Sequence, residues 1–83
     1  MGKEVGKVIH FFEKVNVAVI ELKEGLNIGD KIHIIGSTTD FEQKVDSMQI
    51  EHKSVDKCKK GEVVGLKVSQ RVRPNDLVFL SDE

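Results

Sequence analysis

The chain has 83 residues, of which 39% are hydrophobic and 33% charged, and its 13 basic and 14 acidic residues give a net charge of −1. A chain this short supports one hydrophobic core, which excludes two domains and predicts a single domain over residues 1–83, with its ordered core spanning residues 5–80. The near-neutral charge also excludes a whole-domain field that attracts nucleic acid or an anionic membrane, so such binding requires a local patch.

The spacing of cysteine and histidine, and the pattern of apolar residues, exclude further classes of protein. Cys58 is the only cysteine, and His10, His33 and His52 lie far apart in the chain. This pattern contains neither a disulfide framework nor a zinc-ligand spacing. No apolar run approaches the ~20 residues that cross a bilayer, and the first residues lack a signal-peptide pattern. We therefore expect a cytoplasmic protein with no metal, no cofactor and no membrane association.

The first predicted element is a β-hairpin. Two runs of β-branched and aromatic residues, 5–12 and 15–22, flank a polar pair, which is typical of two strands joined by a turn. In the second run Ala18, Ile20 and Leu22 alternate with valines, the period of two that a pleated strand imposes. One face of this strand is predicted to belong to the core.

A third strand follows a glycine-containing turn. Gly25 and Gly29 occupy positions where a turn favours positive φ. Residues 31–35 then alternate, with Ile32 and Ile34 predicted to face inward.

Residues 41–55 fit two structures. Apolar residues recur there at helical spacing, behind a capping-box pattern that begins at Thr39. The same segment also fits a pair of strands interrupted by a bulge near residues 46–47. Because every other run in the chain favours β-structure, we favour strands.

The last elements are two strands, each preceded by a basic turn. Residues 57–61 lead into a strand over 63–68, in which every second residue from Val64 faces inward. Residues 71–76 lead into a closing strand at 77–80, followed by an acidic C-terminal tail. Six or seven short strands with frequent turns predict an all-β fold, a small closed antiparallel β-barrel.

Four elements in a characteristic order carry a family resemblance. They are an opening strand with Gly6, the turn Ile28-Gly-Asp30, the segment Lys60-Gly-Glu-Val-Val-Gly65 and a last strand after Asn75-Asp76. This succession resembles the second, β-barrel domain of translational GTPases such as elongation factor Tu and initiation factor Two. The resemblance implies a barrel of that type and contact with RNA, either tRNA or the ribosome.

The same barrel is similar to one appended to U32 peptidase-like proteins, some of which are linked to RNA hydroxylation. That resemblance implies an alternative function, a protein-interaction module that assembles with a separate enzyme subunit of that kind. The chain has no Gly-x-x-x-x-Gly-Lys-Ser/Thr loop to cradle phosphates, so nucleotide binding and GTP hydrolysis are not expected.

Five basic residues form the predicted binding site for nucleic acid or a partner. Lys57, Lys59 and Lys60 precede the strand at 63–68, and Arg71 and Arg73 follow it. We expect the two loops to meet at one end of the barrel and contact phosphates there. The alternative is a solvated, charge-rich surface, since acidic neighbours partly neutralise it.

The remaining candidates point away from catalysis. The three histidines have no recognisable nucleophile beside them, so we expect no enzyme activity. Cys58 is either activated by its lysine neighbours or a small buried residue, and the second is favoured. One of Phe11 and Phe12 must face outward, as a contact surface or as a cap on the barrel end, and the cap is favoured. The sequence thus predicts a stand-alone, translation-factor-like binding module.

Overall fold

The computed structural model describes residues 3–81, and within them it contains ten β-strands and no helix. The strands are β1 (Glu4–Phe12), β2 (Val17–Leu22), β3 (Leu26–Asn27), β4 (Lys31–Ile35), β5 (Asp40–Lys44), β6 (Met48–Ile50), β7 (Lys53–Val55), β8 (Lys57–Cys58), β9 (Val63–Lys67) and β10 (Leu77–Leu80). The all-β prediction is confirmed, and strands rather than a helix occupy the ambiguous segment. Of the predicted acidic tail, Asp82 and Glu83 lie outside the described residues.

Eight strands form one antiparallel sheet in the order β5-β4-β10-β1-β2-β9-β6-β7, while β3 and β8 pair separately. The predicted hairpin is present as β1 and β2, with Phe12 opposite Val17 and Gly6 opposite Leu22. Val15 belongs to the turn between these strands rather than to the second strand.

The core lies on the concave side of the curled sheet. Alternation along β2, β4 and β9 places the predicted inward residues there, because successive side chains of a strand point to opposite faces. Ile20, Ile32, Ile34, Val64 and Leu66 are each 0% exposed. The inward-facing predictions for these three strands are therefore confirmed.

The sheet is an open half-barrel, so the predicted closed barrel of six or seven strands is wrong. Strands β5 and β7 are the two edges, and each pairs with only one neighbour. Near β5, the Gln43 side chain bridges toward β9, its amide donating to the Lys67 carbonyl at 3.0 Å and accepting from the Ser69 N–H at 2.7 Å. Closure requires a continuous, fixed-stagger ladder of backbone hydrogen bonds. A side-chain bridge does not supply that ladder.

The predicted turn chemistry holds at some positions and fails at another. Gly29 has φ +94°, as its turn requires, whereas Gly25 does not have positive φ. Asn75, which stands where the translational GTPase pattern has glycine, adopts φ 79°. Asparagine tolerates this left-handed region better than most residues, so the turn before β10 forms without glycine.

The β6–β7 turn is less expected from the sequence. Ile50 pairs with Lys53, and the two residues between them, Glu51 and His52, have φ 52° and 68°. Positive φ at both central positions defines the primed turn that suits a two-residue hairpin, which normally carries Asn-Gly. Glutamate and histidine are not typical of such a turn. The sequence therefore predicts a strand pair here but does not show where its turn lies.

Within residues 3–81 the structure contains no helix long and apolar enough to cross a membrane.

Candidate functional site

The two predicted basic loops lie at opposite ends of β9. The Lys57–Lys60 loop enters β9 beside the end of β2, where the Gly61 N–H donates to the Leu22 carbonyl at 2.9 Å. The other loop leaves β9 beside the β1–β2 turn, where Arg71 lies 3.9 Å from Glu13. Five extended residues separate these ends by roughly 15 Å. The expectation that the loops meet at one end is therefore wrong.

All five predicted basic residues are exposed, so their role in binding stays a prediction. Arg71 and Arg73 line a shallow hollow of about 440 Å³ together with His10 and Pro74. The Arg71–Glu13 pair is 66% and 70% exposed, and an ion pair so well solvated contributes little to stability. The hollow contains no buried polar group aimed at a ligand, and the two basic loops do not form one composite site.

Cys58 is a buried residue of β8. Its side chain is 4% exposed and its Sγ lies 3.7 Å from the Met48 Sδ. Burial raises the pKa of the Cys58 thiol, and nearby Glu62 raises it further. A raised pKa lowers the thiolate fraction that nucleophilic attack requires. The buried alternative predicted from the sequence is confirmed.

The outer face of β4 and β5 carries a network of polar contacts that the sequence analysis missed. Strand pairing places His33 opposite Glu42, and the His33 Nε2 lies 2.5 Å from the Asp40 Oδ1. The Ser81 hydroxyl donates to the Glu42 Oε2 at 2.7 Å. That hydrogen bond, assisted by Lys31 and His33, lowers the pKa of Glu42. Since the partners lie far apart in the chain, the sequence shows only an isolated carboxylate pair.

Among residues 3–81, no group of three or more histidine, cysteine or carboxylate side chains is arranged to hold a metal ion.

The strongest candidate site is an apolar groove on the outer face of β2, β9 and β6. It has a volume of about 740 Å³. We call it the outer groove and define it by its lining residues, which are Phe12, Val15, Val17, Val19, Gln49, Ile50, Glu51, His52, Glu62, Val63, Val64 and Gly65. Its largest exposed apolar members are Phe12 at 50%, Val15 at 56% and Val63 at 46%.

Strand register explains why this surface is concave. Val19 lies opposite Gly65 on β9, and Gly65 lies opposite Gln49 on β6. Gly65 therefore leaves a gap between two side-chain-bearing strands. A Cβ at Gly65 would lie 3.3 Å from the Val17 Cγ1, so even a methyl group would press on the groove wall.

The sequence contains a signal for this groove. Val17-Ala-Val-Ile20 is apolar on both faces of β2, a pattern typical of strands that are covered on both sides. Within this domain the inner face is fully covered, since Ala18 and Ile20 are 0% exposed. The outward Val17 and Val19 are half-buried, and Phe12 and Val15 beside them are exposed. Phe12 is thus the outward-facing member of the Phe11–Phe12 pair, and its role as a contact surface or as a cap stays a prediction.

The fold and the outer groove together define a class of domain, a small open β half-barrel that has its own core and leaves an apolar face uncovered. Comparison with known proteins identifies the family. The chain belongs to the Peptidase family U32 C-terminal domain family, whose profile matches residues 3–78.

Two curated relatives show the setting of this domain. An uncharacterized protease of Methanocaldococcus jannaschii is 53% identical over 81 residues, which cover 96% of this chain and 20% of that protein. A collagenase of Porphyromonas gingivalis is 40% identical over 81 residues, covering 95% of this chain and 20% of the collagenase. The chain therefore spans about a fifth of the length of the curated relatives it matches.

A solved structure supports the fold. The C-terminal domain of a Geobacillus thermoleovorans protein assigned to the U32 peptidases superposes with a TM-score of 0.90 at 17% identity, covering 96% of this chain and 93% of that one. At this identity the likeness concerns the fold alone.

These findings correct the translation-factor prediction. The U32 part of the resemblance is confirmed, whereas the comparisons do not show kinship with translational GTPases. Assignment as a translation-factor-like, RNA-binding module of protein biosynthesis is wrong, since the family and both relatives belong to peptidase-type proteins. The elements that carried it, such as Ile28-Gly-Asp30, are turn chemistry that unrelated small β-domains share.

Proposed function

We propose that this domain is a non-catalytic docking module, which packs its outer groove against the peptidase portion of a U32 peptidase-family protein. The observation that carries the proposal is the uncovered apolar surface around Val19, Val63 and Phe12. Contiguous exposed apolar surface rimmed by polar residues marks interaction sites in soluble proteins. The proposal applies whether the two parts share one polypeptide or meet as separate subunits.

The length of the relatives supports this occupant. About four-fifths of the Methanocaldococcus protease lies outside the region that this chain matches, so a much larger body accompanies the domain in that protein. Domains within such proteins pack through surfaces that resemble protein–protein interfaces. An apolar groove on one of them is the natural place for that contact.

The side-chain chemistry supports a role without catalysis. The outer groove contains two carboxylates, Glu51 and Glu62, and one histidine, His52, but no serine, threonine or cysteine nucleophile. Elsewhere in the described chain Cys58 is buried with a raised pKa. The Ser81 hydroxyl donates its hydrogen bond to the Glu42 carboxylate. A serine nucleophile is activated by donating to a histidine base, which Ser81 does not do.

Co-expression tests the proposal. The tagged 83-residue chain is produced together with the Methanocaldococcus protease from which the matched 81 residues have been deleted. We expect the two to purify as a one-to-one complex. The proposal is contradicted if the shortened protease is soluble and monodisperse but does not co-purify with the tagged chain.

A matched pair of variants localises the contact. Val63→Asp places a charge in the outer groove, whereas Ile28→Asp places the same charge on a residue of similar exposure, 40% against 46%, outside it. We expect Val63→Asp to weaken the complex at least tenfold and Ile28→Asp to leave it intact, since truncation or charging of central apolar anchors dominates interface energetics. Equal effects of the two variants would exclude the outer groove as the docking face.

A further inference from the structure

The outer groove is lined by carboxylates and by no lysine or arginine. Glu51 and Glu62 belong to its lining. Glu21 stands beside them, because it is the cross-strand partner of Val63 and neighbours of this kind lie side by side on one sheet face. Within residues 3–81 none of these three carboxylates forms an ion pair, although the Glu62 Oε1 accepts a hydrogen bond of 2.6 Å from the Lys59 N–H.

The charge is concentrated at one end of the groove. The three carboxylates surround Val63, where β9 begins. At the other end Phe12 and Val15 are apolar, and Lys67 lies opposite Val17 in the β2–β9 pairing. Lys59 and Lys60 precede Glu62 in the chain but do not line the groove. The groove therefore has an acidic end and an apolar end.

The turn that carries Glu51 is conformationally costly. Glu51 and His52 both occupy the left-handed region, with φ 52° and 68°. That region costs a residue with a Cβ roughly 1–2 kcal/mol, and Asn-Gly is the usual solution in a two-residue hairpin. Strained backbone of this kind is concentrated at functional sites. Here it holds a carboxylate at the rim of the outer groove.

We infer that the outer groove takes an apolar segment of the peptidase portion that has lysine or arginine at one end, laid with that basic end over Val63. The apolar side chains of the segment cover Val19 and Phe12, and the cationic end meets the three unpaired carboxylates. Complementary charge of this type fixes the register and orientation of a bound segment more than it raises affinity. This inference rests on the proposed docking function and specifies its occupant.

A peptide scan tests the inference with a probe that needs no folding. Overlapping 15-residue peptides covering the unmatched part of the Methanocaldococcus protease are screened against the isotope-labelled chain by NMR. We expect binding peptides to be apolar with a basic end, and to shift the amide signals of Val19, Val63 and Gly65. Binding should weaken as salt rises, because exposed charges are screened within about 10 Å at 0.1 M.

A double variant removes the rim charge without endangering the fold. Glu51→Asn with His52→Gly installs the sequence that the observed turn favours, so the hairpin is retained while one carboxylate is lost. We expect three- to fivefold weaker binding of the basic-ended peptides, the size of one exposed charge pair. Lys60→Glu, a charge change on an exposed residue outside the groove lining, should leave binding unweakened.

The outcomes separate the two proposals. A complex with the shortened protease that forms while no peptide binds, or whose binding peptides are acidic, overturns the inference and leaves the docking function standing. Unchanged binding by the double variant also overturns it. Self-association of the 83-residue chain that Val63→Asp abolishes would identify the occupant as a second copy and overturn it as well. Failure of both complex and peptide binding would overturn both proposals.

Discussion

Two outer faces of the same curled sheet differ in whether their charged side chains form ion pairs within the domain. On β4 and β5, His33 contacts Asp40 at 2.5 Å, and Glu42 accepts a hydrogen bond of 2.7 Å from Ser81, which follows β10. On β2 and β9 half of the outward residues are valines, and the carboxylates beside them form no ion pair within the described chain. Among the described residues, the first face has ion-pair partners for its charged side chains, whereas the carboxylates of the second have no ion-pair partner.

This difference teaches that exposure alone does not identify a docking surface. Both faces contain charged and half-buried residues, but the β2–β9 face leaves Val63 46% exposed, and apolar area open to water is unfavourable by roughly 25 cal/mol per Å². A polar face whose members bind one another is stable in water. The apolar β2–β9 face, with carboxylates at its end, is the one that we propose binds a partner outside the domain.

The largest expected effect comes from a substitution in the core that lies beneath both outer faces. Ile20→Ala removes a fully buried side chain of β2, and such truncations cost about 2–5 kcal/mol because of the lost burial and the cavity left behind. We expect the urea midpoint of the variant to fall sharply, with both outer faces disordered together. A loss under about 1 kcal/mol would mean that the core does not extend under β2 as the structure shows.

A smaller effect on stability is expected from the neighbouring outward residue. Val19→Ala truncates the groove floor one position away from Ile20, on the opposite side of the strand. We expect less than about 1 kcal/mol lost from the free energy of unfolding, since no core cavity forms. The complex with the peptidase portion should nevertheless weaken measurably by calorimetry. If Val19→Ala costs as much stability as Ile20→Ala, the outer face is already packed within the domain.

The smallest effect concerns the polar face. Ser81→Ala removes the hydrogen bond that is the main cause of the lowered pKa of Glu42, so that pKa should rise toward its ordinary value. A lowered pKa stabilises the fold above the ordinary carboxyl pKa, and this contribution is lost as the pH falls through the folded value. We therefore expect acid unfolding of the variant to begin at higher pH.

NMR titration of the Glu42 side-chain carboxyl carbon measures that change directly. Ser54→Ala on β7, at the opposite edge of the sheet from Glu42, serves as the control and should leave the titration as it is. An unmoved Glu42 titration in Ser81→Ala would show that the two outer faces differ less in their internal contacts than the structure indicates.

Much of the local structure followed from the sequence. Alternation identified the β2, β4 and β9 strands and their inward residues, since a period of two is readable within one strand. Two- and three-residue strands such as Met48–Ile50 carry too few residues to show a period, so the strand count fell short. The cytoplasmic location, the absence of enzyme activity and the binding role of the basic residues stay predictions.

The candidate site was less accessible from sequence. The basic loops drew attention because clustered charge is visible along the chain, but their placement depends on which end of β9 each one joins. The groove residues come from three strands and two turns, and Gly65 matters only because Val19 and Gln49 flank it. The sequence signal for the groove was the set of outward valines on β2. It is less conspicuous than the alternation of inward residues on the same strand.

By itself, the amino-acid order determined that this chain is all-β and which side of β2, β4 and β9 faces the core, because strand alternation is a local property of the backbone. The tertiary structure alone decided that the sheet stays open, that the two basic loops lie at opposite ends of β9, and that valines, Gly65 and two carboxylates share one groove. These features depend on which distant strands pair with one another. Because the strands have residues of similar β propensity, the local sequence does not specify that pairing.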